Sequence, residues 1–244
     1  MSDWLNRTEL LLGKERLDKL RGARVLVAGL GGVGAYAAEQ LCRAGIGEMA
    51  IIDGDCVEQS NKNRQLPAID SNLGKSKAAV MAARFREINP EIRLHVIAEF
   101  IKDDRMVELL EDTAFDYVVD AIDTLAPKIF LIYHSLRKGY PIVSSMGSGG
   151  KLDPSQVKIA DISESYNCHL ARMLRKRLHR LGVYTGVKVV FSAEKVDPDA
   201  IILAESENKK SNVGTISYMP ALFGCFCASV VIRDLVGSKE TTDH

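Results

Sequence analysis

The sequence predicts an α/β fold, a mostly parallel sheet with helices on both faces, and three observations carry that prediction. From Arg24 to Ser145 short apolar runs alternate with helix-like segments. The first run, Arg24 to Ala28, leads straight into clustered glycines, Gly29-Leu30-Gly31-Gly32-Val33-Gly34. The next run, Met49 to Ile52, closes on an acidic residue, Asp53. Alternation of this kind marks right-handed βαβ units laid side by side, and a sheet so built is covered on both faces.

Each element has its own local reason. The charged opening, residues 1–22, is expected as an N-terminal helical segment. Strands are expected at 24–28, 48–53, 93–97, 116–120 and 141–145, where short apolar runs are bounded by turn formers. Helical periodicity runs from Gly32 to Ala44 and from Lys75 to Ile88. The latter stops at Asn89-Pro90, because a residue before proline is pushed out of the α region. Lys128 to Lys138 is a third helix. Residues 23–145 therefore form a core. Past Ser145 the glycines 147, 149 and 150 and Asp153-Pro154 punctuate the chain. Strand-like runs at 157–162 and 187–192 then flank a basic helix at 169–181. Residues 146–244 thus read as a C-terminal extension of mixed strands and helices on the same sheet. Asp197 to Asn212 is polar apart from Ile201-Ile202-Leu203 and is expected as a mobile surface loop. The longest apolar stretch, Pro220 to Ile232, is broken by Gly224 and Ser229 and falls short of the ~20 residues of a membrane helix. It reads as a buried helix, and no membrane partner is expected.

Composition narrows the function classes. The chain of 244 residues balances 32 Lys and Arg against 32 Asp and Glu. A single domain of this length buries a full core, and zero net charge leaves any polyanion to a local patch. Five scattered cysteines and a polar opening point to the reducing cytosol, a cytoplasmic location.

The glycine cluster is a nucleotide signal. Gly29, Gly31, Gly32 and Gly34 let the backbone approach a phosphate, the following helix aims its free N–H groups at the same anion, and Asp53 reaches the ribose hydroxyls. This fingerprint alone does not separate a dinucleotide such as NAD from ATP. The residues after it favour ATP: Asn61 and Arg64 in the loop, Lys77 opening the next helix, and Asp123 just past a buried strand. Attack on the α-phosphate of ATP by a carboxylate brings anions together, so catalysis is neutralisation and alignment. Arg64 and Lys77 supply positive charge, and Asp123, with Asp120 as second choice, is the candidate for holding Mg2+. Taken singly, Arg64 and Lys77 also read as solvated surface charges, and Asp123 as a helix N-cap.

The joint pattern carries a family resemblance. Gly29-x-Gly31-Gly32-x-Gly34, Asp53-x-Asp55-x-Val57, Asn61-x-x-Arg64-Gln65, Gly74-x-x-Lys77 and Asp120-Ala121-Ile122-Asp123 resemble the adenylating enzymes related to ubiquitin activation, with their Rossmann-like core. The resemblance implies ATP-dependent adenylation of a carboxylate with release of pyrophosphate. It places Asp53 on the ribose, Asn61, Arg64 and Lys77 on the phosphates, and Asp123 at Mg2+. It also makes Arg7 the residue that reaches across a homodimer into the partner's ATP site, where composition alone makes Arg7 an exposed terminal charge.

The second half narrows the resemblance. Arg7-Thr8-Glu9-Leu10-Leu11-Leu12-Gly13, Gly147-Ser148-Gly149-Gly150 with Asp153-Pro154, Leu170-Ala171-Arg172 through Arg177, and Val190-Phe191-Ser192-x-Glu194 are similar to the tRNA threonylcarbamoyladenosine dehydratases. That resemblance implies activation of the carboxylate of threonylcarbamoyladenosine in tRNA, followed by intramolecular ring closure with loss of AMP. Cys168-His169 departs from the Asp-Pro expected there. A tethered nucleophile has the effective molarity of an intramolecular reaction, so no catalytic cysteine is needed. Cys56, nearest the expected ATP site, reads as a small, partly buried residue. A docked sulfur-relay protein is a partner the sequence leaves open.

Two patterns bear on the alternatives. The chain lacks the paired Cys-x-x-Cys zinc ligands of many sulfur-transfer relatives. Cys225 and Cys227, at i and i+2 of an apolar helical run, point to different faces. In the helix 169–181, Leu170, Met173, Leu174, Leu178 and Leu181 form one apolar face, and Arg172, Arg175, Lys176, Arg177 and Arg180 fill the rest without an acid among them. These five are the candidate contacts to tRNA phosphates, against the plainer reading of a basic face paired with carboxylates elsewhere. Adenylation of a ubiquitin-like sulfur carrier, an NAD-dependent oxidoreductase and a non-enzymatic tRNA-binding module stay open as competing functions.

Overall fold

The computed structural model describes residues 3–101, 103–203 and 211–237. Two N-terminal helices, α1 (Asn6–Leu12) and α2 (Lys14–Gly22), precede β1 (Arg24–Ala28), α3 (Gly34–Arg43), β2 (Glu48–Ile52), α4 (Lys77–Ile88) and β3 (Arg93–Ile97). The chain continues through α5 (Asp103–Asp112), β4 (Tyr117–Asp120), α6 (Leu125–Arg137) and β5 (Ile142–Ser145). The C-terminal part adds β6 (Val157–Asp161), α7 (His169–Arg180), β7 (Lys188–Ser192), β8 (Ile201–Leu203), β9 (Ser211–Val213) and α8 (Tyr218–Val236).

Seven strands form one sheet in the order β3-β2-β1-β4-β5-β7-β6, parallel throughout except β6, which runs antiparallel to β7. The register is direct: Val27 stands opposite Ile51 on one side and Val119 on the other. The chain builds outward from β1 to β3, then returns to lay β4 on the other side of β1. That reversal opens a crevice at the carboxyl ends of β1 and β4, the place where open α/β sheets bind ligands.

Strand alternation divides the core in two. Val25, Val27, Met49, Ile51 and Val119 face Phe85 of α4, Leu41 of α3, and Phe223 and Val231 of α8. Leu26, Ala50, Ile52, Val118 and Ile142 face Leu110 of α5, Leu131 of α6, and Leu174 and Leu178 of α7. Burial on both faces is why these strands read as unbroken apolar runs. Helix α8 is long and apolar enough to cross a membrane by composition, yet Met219, Phe223, Cys227 and Val231 are packed into the core.

Two departures from the sequence expectation stand out. Helix α5 was not foreseen, although Met106 and Leu110, spaced i and i+4, bury one face of it. Within the segment expected as a mobile loop, a short helical turn, Pro198–Ala200, leads into β8, which pairs antiparallel with β9, Ile202 opposite Asn212. Residues 204–210 of that segment lie outside the described residues.

Candidate functional site

At the crevice, β1 turns at Gly29, whose φ of +88° is in the left-handed region. A side chain there would also press on the Ala121 carbonyl, which lies 2.8 Å from the ideal Cβ position. The same test on Gly34 meets the Gly29 carbonyl at 1.7 Å, so α3 starts hard against the end of β1. No side chain caps that helix, so its positive dipole end faces the crevice, with the Ala35 N–H already turned onto the Gly31 carbonyl at 3.3 Å.

Asp53, just past β2, fixes the turn. Its Oδ2 accepts the Leu30 N–H at 2.6 Å and its Oδ1 the Asp55 N–H at 2.8 Å. Burial raises its pKa, opposed by those two donors and by the nearby Lys77 ammonium. Lys77 opens α4 behind its N-cap, Ser76. It is only 4% exposed and pairs with Asp55 at 2.9 Å. The reading of Lys77 as a solvated surface charge is therefore wrong; the cation is held inside the site by a carboxylate two residues from Asp53.

The loop between β2 and α4 supplies the rest. Asn61 is buried and serves a short helical turn: its Oδ1 accepts the Glu58 N–H at 3.2 Å while the Glu58 side chain returns the bond. Arg64, half-buried, lies with its stem 3.5 Å from the Cβ position of Gly32. Its guanidinium donates to the Ser60 carbonyl at 2.9 Å and to Asn63 Oδ1 at 2.8 Å, both neutral acceptors. Gln65 went unassigned in the sequence despite its place in the same motif. It lies over Gly31, 3.7 Å from that residue's Cβ position, with its buried Oε1 lacking a hydrogen-bond partner.

Two aspartates follow β4, and they differ. Asp120 is fully buried, bound by Lys128 at 2.8 Å, Ser144 Oγ at 2.6 Å and the Ile122 N–H at 3.1 Å. Its oxygens are committed to the core, which removes it as the second choice for Mg2+. Asp123 is exposed at the carboxyl end of β4, and the N-cap of α6 is Thr124, so the capping role falls away from Asp123. No cluster of three or more His, Cys, Asp or Glu exists among the described residues. A single carboxylate beside a triphosphate suits Mg2+, which keeps waters and takes phosphate oxygens for the remaining positions.

Sequence reasoning missed Phe100. It follows β3, is 68% exposed, and rests on Gly54, whose ideal Cβ would lie 2.6 Å from the Phe100 ring. The only signal was an aromatic residue just past a strand, which periodicity does not flag. Cys56 is exposed rather than partly buried.

Arg7 is not brought to this site within its own chain. It is exposed on α1, and Leu5, just before it, packs on Gly45 and lines a cleft with Gly47 and Arg93, at the starting ends of β2 and β3. The crevice opens at the finishing ends, about 16 Å away along a five-residue strand.

The extension frames the crevice from the other side. The Gly150 N–H donates to the Gly214 carbonyl at 2.7 Å, and Asn63 Nδ2 to the Thr215 carbonyl at 3.0 Å. The chain after β9 thus ties the loop after β5 to the loop that carries Arg64. Lys151 is buried beneath, its Nζ on the Asn167 and Glu194 carbonyls, and burial lowers its pKa. The Glu194 carboxylate accepts the Leu152 and Asp153 N–H groups, each at 2.9 Å.

Helix α7 buries Ala171, Leu174 and Leu178 and exposes Arg172, Lys176, Arg177 and Arg180. Arg175 departs from the expected tRNA-facing set: its guanidinium turns inward to the Ile162 and Ser165 carbonyls and Ser165 Oγ, holding the turn ahead of the helix. Among the ion pairs of the described residues, none joins a carboxylate to the other four.

The ThiF family matches residues 5–244. The chain is 35% identical over 247 residues to the tRNA threonylcarbamoyladenosine dehydratase of Bacillus subtilis, covering 96% of this chain and 95% of that one. It is 36% identical over 247 residues to the enzyme of the same name from Escherichia coli, covering 94% and 92%. Its fold superposes on a crystal structure of the Escherichia coli tRNA N6-threonylcarbamoyladenosine dehydratase TcdA in complex with ATP, with a TM-score of 0.86, 36% identity and 96% of each chain covered. A match along nearly the whole length, added to a glycine turn, a strand-tip aspartate and two held cations at one crevice, establishes that the chain belongs to the ThiF family.

Proposed function

We propose that this chain is an ATP-dependent tRNA threonylcarbamoyladenosine dehydratase. The observation that supports it most is the near-full-length identity to enzymes of that name, one of them solved with ATP. It falls on a site built for a triphosphate. In this reading Asp53 takes the ribose, and the exposed face of Phe100, outward of β2 toward the sheet edge, takes the adenine. The triphosphate lies at the uncapped start of α3, with Arg64 above it and Lys77 moving from Asp55 to a phosphate oxygen. Asn61 holds the loop in register and offers its remaining N–H to the same anion. Asp123 would hold Mg2+, which when bound neutralises phosphate charge.

The chemistry then needs little from the protein beyond alignment and charge. The substrate carboxylate attacks the α-phosphorus, the bond to the bridging oxygen breaks, and pyrophosphate leaves. The resulting acyl-adenylate is attacked at its carbonyl by a nucleophile of the same modified nucleoside; the ring closes, and AMP departs with the former carboxylate oxygen. The net change in the nucleoside is the loss of one water. In this reading no thiol takes part, because the tethered nucleophile and the good leaving group AMP make a covalent enzyme intermediate unnecessary.

A homodimer completes the site in this proposal. Arg7 stands far from its own crevice, and Trp4, Leu10 and Leu11 leave apolar surface beside it. The test is pyrophosphate exchange into ATP: exchange that needs tRNA carrying the threonylcarbamoyl group supports the proposal. Exchange driven by a ubiquitin-like carrier protein and indifferent to that tRNA would transfer the chain to sulfur-carrier activation.

A further inference from the structure

We infer that Asn63 is a positioning residue that links the loop after β5 to Arg64, so that seating of the modified nucleoside sets the phosphate-binding cation in place. The inference rests on the proposed function and adds to it a coupling between the two substrates. Asn63 joins two chains of contact. Its Oδ1 accepts the Arg64 guanidinium Nη1 at 2.8 Å, and its Nδ2 donates to the Thr215 carbonyl at 3.0 Å. One amide therefore spans from the β2–α4 loop to a strap, residues 214–217, that joins β9 to α8. The strap is fastened on its other side as well. The Gly214 carbonyl accepts the Gly150 N–H at 2.7 Å, and the Tyr218 hydroxyl, where α8 begins, donates to the Leu152 carbonyl at 2.7 Å. Val213 Cβ lies 3.1 Å from the ideal Cβ position of Gly149, so loop and strap meet with no side chain between them. A shift of residues 147–152 thus moves the strap, and with it the acceptor that holds Asn63.

That loop is where the second substrate must arrive. In the proposed pose the nucleotide lies over β2, β1 and β4, and a carboxylate attacking the α-phosphorus in line has the carboxyl end of β5 as its open side. Arg64 is already half held for the task. Its Nη1 is spent on the Ser60 carbonyl and on Asn63, whereas among the hydrogen bonds of the described residues none uses its Nε or Nη2. Those two donors form the planar edge that grips two phosphate oxygens at once. Their direction is set by what holds Nη1. One holder, Ser60, belongs to the loop of Arg64 itself; the other, Asn63, is fixed to the strap. The substrate side therefore biases the aim of Arg64 through Asn63.

The test is equilibrium binding of an ATP analogue with methylene in place of the α–β bridging oxygen, which blocks adenylation, with and without tRNA carrying threonylcarbamoyladenosine. On wild-type protein saturating tRNA is expected to tighten the analogue about tenfold, and the analogue to tighten the tRNA by the same factor, as linkage requires. Asn63→Ala, at an exposed position, should leave the affinity for the analogue alone nearly unchanged, since Arg64 keeps the Ser60 carbonyl, and should erase the coupling. Asn63→Asp should erase it too, because a carboxylate still accepts from Arg64 but has no N–H for Thr215. In an Arg64→Ala background, Asn63→Ala should have no further effect, the non-additivity of residues that act through one another. Coupling that survives either Asn63 variant, or an added loss in the Arg64→Ala background, would overturn the inference. Wild-type protein whose pyrophosphate exchange needs the modified tRNA but whose binding shows no coupling would overturn it and leave the proposed function standing. Exchange indifferent to that tRNA would bring down both.

Discussion

Two aspartates three residues apart should respond to truncation in opposite ways. Asp120→Ala leaves the Lys128 ammonium, 0% exposed, with only the Ile122 carbonyl at 3.0 Å for company. Breaking a buried ion pair from one side costs about 3–5 kcal/mol. At the ~2–4 °C per kcal/mol of a chain this size, the melting temperature should fall by roughly 6–20 °C. Asp120→Ala with Lys128→Met removes the stranded charge and should recover much of that loss. Asp123→Ala touches an exposed side chain and should cost no more than about 1 kcal/mol. Yet it should reduce tRNA-dependent pyrophosphate exchange by about 100-fold or more, the scale of losing one charge-stabilising group in a phosphoryl site. Thermal unfolding and exchange measured on the same preparations separate the two. A stable but inactive Asp120→Ala protein beside an active Asp123→Ala protein would refute the assignment of core to the first and chemistry to the second.

Three further outcomes follow from the geometry. Lys77→Met should raise KM for ATP and lower exchange about 100-fold while the protein stays folded, since the abandoned Asp55 is solvent-exposed; a kinetically normal variant would remove Lys77 from the phosphates. Phe100→Ala should raise KM for ATP by about 5- to 100-fold with little change in kcat, and Phe100→Trp should restore it, on the usual scale of base stacking; unchanged KM in the alanine variant would clear the ring of any base contact. Glu48 is buried, which alone would raise its pKa, but hydrogen bonds from Arg24, Arg93 and His95 outweigh that and hold it at about 2, against an ordinary 4.5. A lowered carboxylate stabilises the fold above its unfolded pKa and loses that contribution as pH falls through the folded one. With Arg93 and His95 68% and 59% exposed and screened by water, the contribution is about 2 kcal/mol. Urea unfolding of Glu48→Gln should show that deficit at pH 7 and should converge on wild type between pH 4.5 and 2; a constant gap would contradict the linkage.

The fold was legible where burial is two-sided. Strands such as β1, β2 and β4 keep apolar residues on both faces, so a short run bounded by turn formers marks them without ambiguity. Helix α5 escaped because its apolar positions are few and its acids read as loop. The pairing of β8 with β9 escaped because three-residue strands carry no period. In the site, glycines and single-letter spacing gave Gly29, Gly34, Asp53 and Lys77, each tied to backbone geometry that few other residues satisfy. Spacing alone could not separate Asp120 from Asp123. What separates them is Lys128, eight residues beyond Asp120 and across a turn, swinging its ammonium back under the strand. Arg175 failed for a similar reason: helical periodicity places it beside the basic face, and only the turn at Ser165 shows where its guanidinium goes. Phe100 was invisible because its meaning depends on an empty place at Gly54, and absence of a side chain across two loops leaves no mark in either.

In the proposed reaction a tRNA-borne carboxylate is adenylated at this crevice and closed into a ring. Mass spectrometry of nucleosides, after tRNA carrying threonylcarbamoyladenosine is incubated with the protein and Mg-ATP, tests it most directly. The modified nucleoside should emerge lighter by one water, only when ATP is present, and not with Asp123→Ala protein. An unchanged nucleoside from folded, ATP-binding protein would contradict it.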